Sequence, residues 1–229
     1  MTEIKFYRVN EPWGEFSNFA PFPVLIGAFI WRTTEHYFQA AKFHDPEVKE
    51  MLRMIEAPGD VAEEGRKPTH NLRPDWENVK EEYMEKALRH KFMQHPELWK
   101  LLMGTGDALL IEHTENDSYW ADGGDGSGRN RLGTLLMKVR DELRAYSDDP
   151  DFILPPWIAF PGTEMADMFW RMGWGESFIM EWAAHFDQTD QAAYRARFPE
   201  IRNWKGFYDD DPQIGGEWED GESGSEETL

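Results

Sequence analysis

Prolines divide the stretch from residue 34 to residue 102 into segments that each read as a helix, and this punctuation constrains the fold more than any other feature. Pro46 stands at the first position of a helix whose remaining residues are EVKEMLRMIEA and which ends before Pro58 and Gly59. Proline suits the first helical position, where its missing N–H leaves no bond unmade, and it stops a helix that precedes it. Asp60 is placed to cap a short helix reaching Gly65, and Pro96 restarts the chain toward Leu102. After the loop KPTHNLRPDW, Glu77–Gln94 carries Val79, Tyr83, Met84, Ala87, Leu88 and Phe92 on one helical face. Thr134–Arg144 repeats that pattern with Leu135, Leu136, Val139 and Leu143. Strands have little room: Ile4–Val9, a hairpin from Val24 to Trp31 around Gly27, and a brief segment from Asp107 to Glu112. The expected class is mainly α, with a few short N-terminal and central strands.

With 229 residues and 40% apolar content the chain can bury a sizeable core. SDDPD at 147–151 marks the expected end of a first domain over 1–147. An accessory helical segment over 148–208 follows, with Met165–Phe186 broken near Gly173 and Gly175 and a further helix at Ala192–Arg197. Residues 209–229 are acidic and of low complexity, and are expected to be disordered. The formal charge of −20 is uneven: −14 falls on residues 148–229 and −6 on the first 147. Such a field disfavours indiscriminate binding to phosphodiester backbones or anionic membranes, while leaving room for a local phosphate site. The absence of cysteine excludes disulfides, thiolate nucleophiles and Cys-type zinc sites. No apolar run is long enough to span a membrane and no export signal is recognisable, so a cytoplasmic location is expected.

Two segments carry candidate chemistry. In WRTTEHYFQAAKF at 31–43, with Thr34 as N-cap, Glu35, Gln39 and Lys42 stand at i, i+4 and i+7, within about 60° of one another on the helix. Tyr37, Phe38 and Ala41 fall on the opposite, core-packing side. The polar stripe is either a solvated helix face or one wall of a cleft. The second segment, EHTENDSYWADGGDGSGRNRLG, places glycines at 123, 124, 126 and 128 ahead of Arg129, Asn130 and Arg131 at a helix N-terminus. Backbone N–H groups and cationic donors there suit an anion, although a mobile glycine turn explains the composition equally well. The seven histidines form no compact metal-ligand spacing. No metal and no cofactor is expected.

FSNFAPFPV at 16–24, WRTTEHYFQAAKF at 31–43, Arg73-Pro74-Asp75-Trp76 with its following helix, HKFMQHPEL at 90–98 and EHTENDSYWADGGDGSGRNRLGTLLMKVRDEL at 112–143 resemble, in order and spacing, the YbiA-like proteins of the NADAR superfamily. The resemblance covers nearly all of residues 4–146 and none of 151–229. It implies an orthogonal helical domain and N-glycosidase chemistry. YbiA-like members cleave early riboflavin-pathway intermediates, in which ribose 5-phosphate is joined through C1′ to an exocyclic amine of a diaminopyrimidine. Other members of the superfamily remove ADP-ribose from the amino group of guanine.

On that resemblance Glu35 is the general acid and base, and Lys42 is either an imine-forming nucleophile at C1′ or a cation that holds phosphate or ring oxygen. Asp117 fixes a ribose hydroxyl, orients water or caps a turn. Trp31, Trp76 and Trp120 stack on the base or cover the sugar, or else pack in the core. Gln39, Gly124, Arg129 and Asn130 complete the expected substrate contacts. Ala121 stands where family members commonly have glycine. The expected substrate is a small phosphorylated ribosylamine. Two readings stand beside it: reversal of guanine ADP-ribosylation in nucleic acid, as in an antitoxin or phage-related system, and noncatalytic binding of an ADP-ribose-like or NAD-like ligand. The C-terminal addition is open to a role in protein contacts.

Overall fold

The computed structural model describes residues 2–209 and 214. The chain folds as two compact units, Met1–Gly162 and Thr163–Leu229. The first is mainly helical, as the proline punctuation predicts. Its strands are β1 (Glu3–Phe6), β2 (Val24–Ile26), β3 (Phe29–Trp31) and β4 (Leu109–Glu112). Its helices are α1 (Thr34–Ala41), α2 (Pro46–Met54), α3 (Pro58–Glu64), α4 (Trp76–Gln94), α5 (Pro96–Gly104), α6 (Arg131–Arg144) and α7 (Pro156–Ala159). β1 pairs in parallel with β4, from Glu3 opposite Leu109 to Phe6 opposite Glu112. β2 and β3 form the expected hairpin, with Gly27 at φ +66° in its turn.

Several helix starts differ from expectation, each for a local reason. Thr33, not Thr34, caps α1: its hydroxyl accepts the His36 N–H while its backbone stays extended. α3 opens on Pro58, so Asp60 lies inside its first turn instead of capping it. α6 begins at Arg131, a turn earlier than the apolar periodicity suggests, because Asn130 takes a left-handed conformation (φ 47°) that ends the preceding loop.

α4 runs through the centre of this unit and packs against α1, α5, α6, α7 and β2. Val24, Ile26, Trp31, Tyr37, Ala40, Phe43, Leu52, Val61 and Ala87 form one buried cluster around it. On the other side α6 buries Leu132, Leu135, Leu136, Val139 and Leu143, each leucine being worth about 1.5–3 kcal/mol of burial. The last turns of α4 also hold the 15–25 segment by its backbone. Buried Lys91 donates to the Glu15 and Ser17 carbonyls at 2.6 and 2.9 Å. Gln94 brackets Leu25, donating to its carbonyl and accepting its N–H, both at 2.9 Å. His95 Nε2 donates to Pro23 O at 2.7 Å.

The expected domain end at 147–151 and the end of the first unit at Gly162 do not coincide. Residues 149–152 stay on the first unit because Trp99 Nε1 donates to Asp149 O at 3.0 Å and its ring packs 5.9 Å from that of Phe152.

The second unit comprises a 3-10 turn at Met168–Arg171, α8 (Gly173–Phe186), α9 (Gln191–Arg197) and a 3-10 turn at Arg202–Trp204. Trp170, Phe178, Trp182, Phe186, Tyr194, Phe198, Trp204, Phe207 and Tyr208 are its buried aromatic core. Polar edges are matched: Trp182 Nε1 donates to the Tyr194 hydroxyl at 3.0 Å, and the Tyr208 hydroxyl donates to Phe198 O at 2.8 Å. Apart from residues 209 and 214, the expected disordered tail lies outside the described residues. Among the described residues no helix is long and apolar enough to cross a membrane.

Candidate active site

The polar stripe of α1 faces a cleft of about 300 Å³ in the first unit. All eight residues of α1 are buried, so Glu35 and Gln39 are not on a solvated face. Glu35 is only 6% exposed and Gln39 3%. Gln39 Nε2 donates to Glu35 Oε1 at 2.6 Å. Lys42, at the C-cap of α1, donates from Nζ to Gly65 O at 3.2 Å, beyond the end of α3. A Cβ at Gly65 would collide with Gln39 Oε1, so the glycine lets the Gln39 amide lie flat against the chain.

Burial dominates the electrostatics here. It raises the Glu35 pKa above the usual carboxylate range, against the hydrogen bond from Gln39 and the positive charges of Lys42 and Arg66. Burial also lowers the Lys42 pKa, against the attraction of Glu35, and Arg66 pushes in the same downward direction. A carboxyl and an amine on one stripe are thus each driven toward the neutral form.

The opposite wall comes from the loop after β4. Asp117 Oδ1 accepts the N–H groups of Tyr119 and Trp120, both at 2.7 Å, so it caps this turn while also lining the cleft. Trp120 meets Phe38 edge to face at 5.4 Å, and both rings border the cavity. Phe38 is therefore a cleft residue, contrary to its expected place on the core side; Tyr37 does face the core. The remaining wall is the 17–19 turn. Thr34 Oγ1 donates to the carbonyl and side-chain oxygens of Asn18, each at 3.1 Å, tying that turn to the start of α1.

Glu35, Gln39, Lys42, Asp117 and Trp120 are thus brought together. The other expected contacts lie elsewhere. Trp31 is buried between Phe29 and Tyr37 in the core cluster. Trp76 stands behind the wall, 5.0 Å from the Phe38 ring, and supports it without lining the cavity. Gly124 opens onto a different depression beside Glu3, Lys5 and His113. The Arg129 guanidinium lies over the Tyr119 ring at 5.4 Å. Asn130 extends β4, donating to Leu110 O at 2.8 Å and accepting the Glu112 N–H at 3.0 Å, so its amide is committed to backbone.

Tyr7, Asn18, Phe19, Arg66, Met84, Glu112, Thr114 and Asn116 also line the cleft without having been singled out in the sequence. Asn18, Phe19, Met84, Glu112, Thr114 and Asn116 sit inside the segments that carry the family resemblance; Tyr7 and Arg66 do not. Among the described residues no group of three or more His, Asp or Glu side chains is disposed to hold a metal ion.

The sequence profile of the NADAR domain matches residues 5–144. The chain belongs to the NADAR family. Its NADAR domain is similar to N-glycosidase YbiA of Escherichia coli (strain K12), with 51% identity over 142 residues that cover 62% of this chain and 89% of that protein. It is also 38% identical over 144 residues to a riboflavin biosynthesis protein of Vibrio vulnificus (strain YJ016), covering 63% of this chain and 39% of that protein. The NMR structure of the Escherichia coli protein YbiA superposes with a TM-score of 0.60 at 50% identity, over 63% of this chain and 86% of that one. The chain is a YbiA-like member, and the cleft lies within the NADAR domain.

Proposed function

We propose that the substrate of this N-glycosidase is a phosphorylated ribosylaminopyrimidine of the riboflavin pathway, cleaved between ribose C1′ and the exocyclic amine. The observation that carries this reading is the shared stripe of Glu35 and Lys42, a desolvated carboxyl and a desolvated amine on one wall of a cleft bordered by Phe38 and Trp120. The riboflavin biosynthesis protein of Vibrio vulnificus, which shares the domain, supports the choice of substrate.

A ribosylamine opens to a C1′ imine, which an unprotonated amine attacks. Lys42, its pKa lowered by burial, adds to C1′; the C1′–N bond to the pyrimidine breaks, and its electron pair leaves with the nitrogen. Water then hydrolyses the lysine imine, returning free Lys42 and ribose 5-phosphate. Glu35 takes the proton from the attacking water. Phe38 and Trp120 supply apolar faces that cover the sugar, and exposed Arg66 at the rim pairs with the 5′-phosphate.

The test is a turnover assay read by mass spectrometry. The full chain is offered 5-amino-6-ribosylaminouracil 5′-phosphate and, separately, DNA carrying ADP-ribose on guanine, with Glu35→Gln as control. Release of ribose 5-phosphate from the first, lost in the variant, is the expected result. Release of ADP-ribose from the second alone would overturn the substrate assignment in favour of nucleic-acid repair.

A further inference from the structure

A second cavity of about 430 Å³ adjoins the cleft, and Tyr7, Ser17, Phe19, Glu112 and Asn116 line both. Its other residues include Arg8, Val9 and Pro58. A substrate with its sugar over the α1 stripe and its heterocycle in this neighbouring space would lay the scissile bond across the shared wall. Glu112, the last residue of β4, is the only carboxylic acid in that wall.

The backbone of Glu112 is fixed on both sides: its N–H donates to Asn130 Oδ1 at 3.0 Å and its carbonyl accepts the Asp122 N–H at 2.9 Å. Its carboxyl, by contrast, has no hydrogen-bond or ion-pair partner among the described residues. Resting on the reading of this cleft as an N-glycosidase site, we propose that Glu112 is a further catalytic residue, the acid that protonates the departing exocyclic nitrogen.

Glu35 and Glu112 have opposite company in the cleft. Glu35 has Gln39, Lys42 and Arg66 around it, which favour its carboxylate. Glu112 is pushed up to about 8 by burial and then by Asp117, Glu35 and Asp122, with no cation opposing them. Burial raises both carboxyls, but only at Glu35 do a donor and two cations oppose it, and surroundings that differ in this way divide acid and base duties. At neutral pH Glu112 is a carboxylic acid with a proton to give, and the base that takes the proton of the attacking water is Glu35. As the C1′–N bond breaks, the Glu112 proton passes to nitrogen and completes the amine, leaving a carboxylate. The proton that Glu35 takes from water returns to Glu112 through solvent, and one water is consumed per turnover.

The experiment compares the full-length wild type with Glu112→Gln and Glu35→Gln on 5-phosphoribosyl derivatives of a series of anilines. Turnover by the wild type first establishes the underlying reading; its absence would refute that reading rather than the role of Glu112. Glutamine is isosteric with the neutral acid but cannot give a proton. On 4-methylaniline, the poorest leaving group, Glu112→Gln should lose about 100-fold in kcat, within the usual range for a general acid. On 4-nitroaniline, which departs with little help, the deficit should narrow to under about tenfold. Glu35→Gln should lose the same factor across the series.

Wild-type kcat/KM should also fall as pH rises through about 8, and that limb should vanish in Glu112→Gln. The charged groups acting on the carboxyl are Asp117 and Asp122 from the loop after β4 and Glu35 from α1; Tyr7 and Arg8 after β1, with Lys42 and Arg66, are the other titratable groups lining the two cavities. A deficit independent of the aniline, or an unchanged alkaline limb, would overturn the assignment.

Discussion

Gln39 donates its amide to Glu35 Oε1 at 2.6 Å, one helical turn along α1, and both side chains are buried at the wall of the cleft. The bond favours the carboxylate of a group whose burial favours the acid. Replacing Gln39 by leucine removes that donor and should raise the Glu35 pKa further. If Glu35 acts as the base, the acidic limb of the kcat/KM profile moves to higher pH. An unmoved limb would show that another group controls it.

Lys42 should be trappable. Incubation with substrate and borohydride is expected to add a reduced ribose 5-phosphate mass to a peptide containing Lys42, and Lys42→Ala should lose both the adduct and at least about 100-fold in kcat. Retained turnover without an adduct would make Lys42 a cation clamp rather than a nucleophile.

Gly65→Ala tests the packing that sets the Gln39 amide. Gly65 has φ −69°, so alanine meets no backbone strain, and the conflict is with the Gln39 side chain. kcat should fall with a stability loss of no more than about 1–3 kcal/mol, the usual range for overpacking. Equal kcat in the variant would show that Gln39 relaxes without consequence.

Lys91 predicts a pH dependence of stability. Burial lowers its pKa from 10.5 to about 7 in the folded chain. Between these values the unfolded state binds the extra proton, so folding stability gains from this group as pH rises and is weakest at and below about 7. Urea unfolding at several pH values should show this rise relative to Lys91→Met, which removes the titrating amine. Parallel curves for the two proteins would refute it.

At Gly133 a Cβ would collide with the carbonyl oxygen of Leu110 in β4. Backbone cannot step aside as a side chain can, so Gly133→Ala should destabilise the domain by about 1–3 kcal/mol or more in urea melts. A smaller effect would mean that α6 rides away from β4 without loss.

The local code of this chain was legible without its structure. Pro46 and Pro96 do open helices, Gly27 does turn a hairpin, and the spacing of Glu35, Gln39 and Lys42 does put them on one wall. These outcomes depend on φ restriction and on helical periodicity, both properties of neighbours in sequence. Asp117 and Trp120 were also legible, through the likeness of their segment to the NADAR family. What the opposite walls are made of was decided only by tertiary packing. Trp31 and Trp76 have the same chemistry as Trp120, yet the first is taken into the core cluster and the second stands behind Phe38. Asn130 looks like a ligand donor in sequence but is consumed in extending β4. Glu112 gains its character from burial and then from Asp117 and Glu35, the latter 77 positions away in the chain. Burial and like-charge proximity depend on which distant segments meet, and no local pattern carries that information.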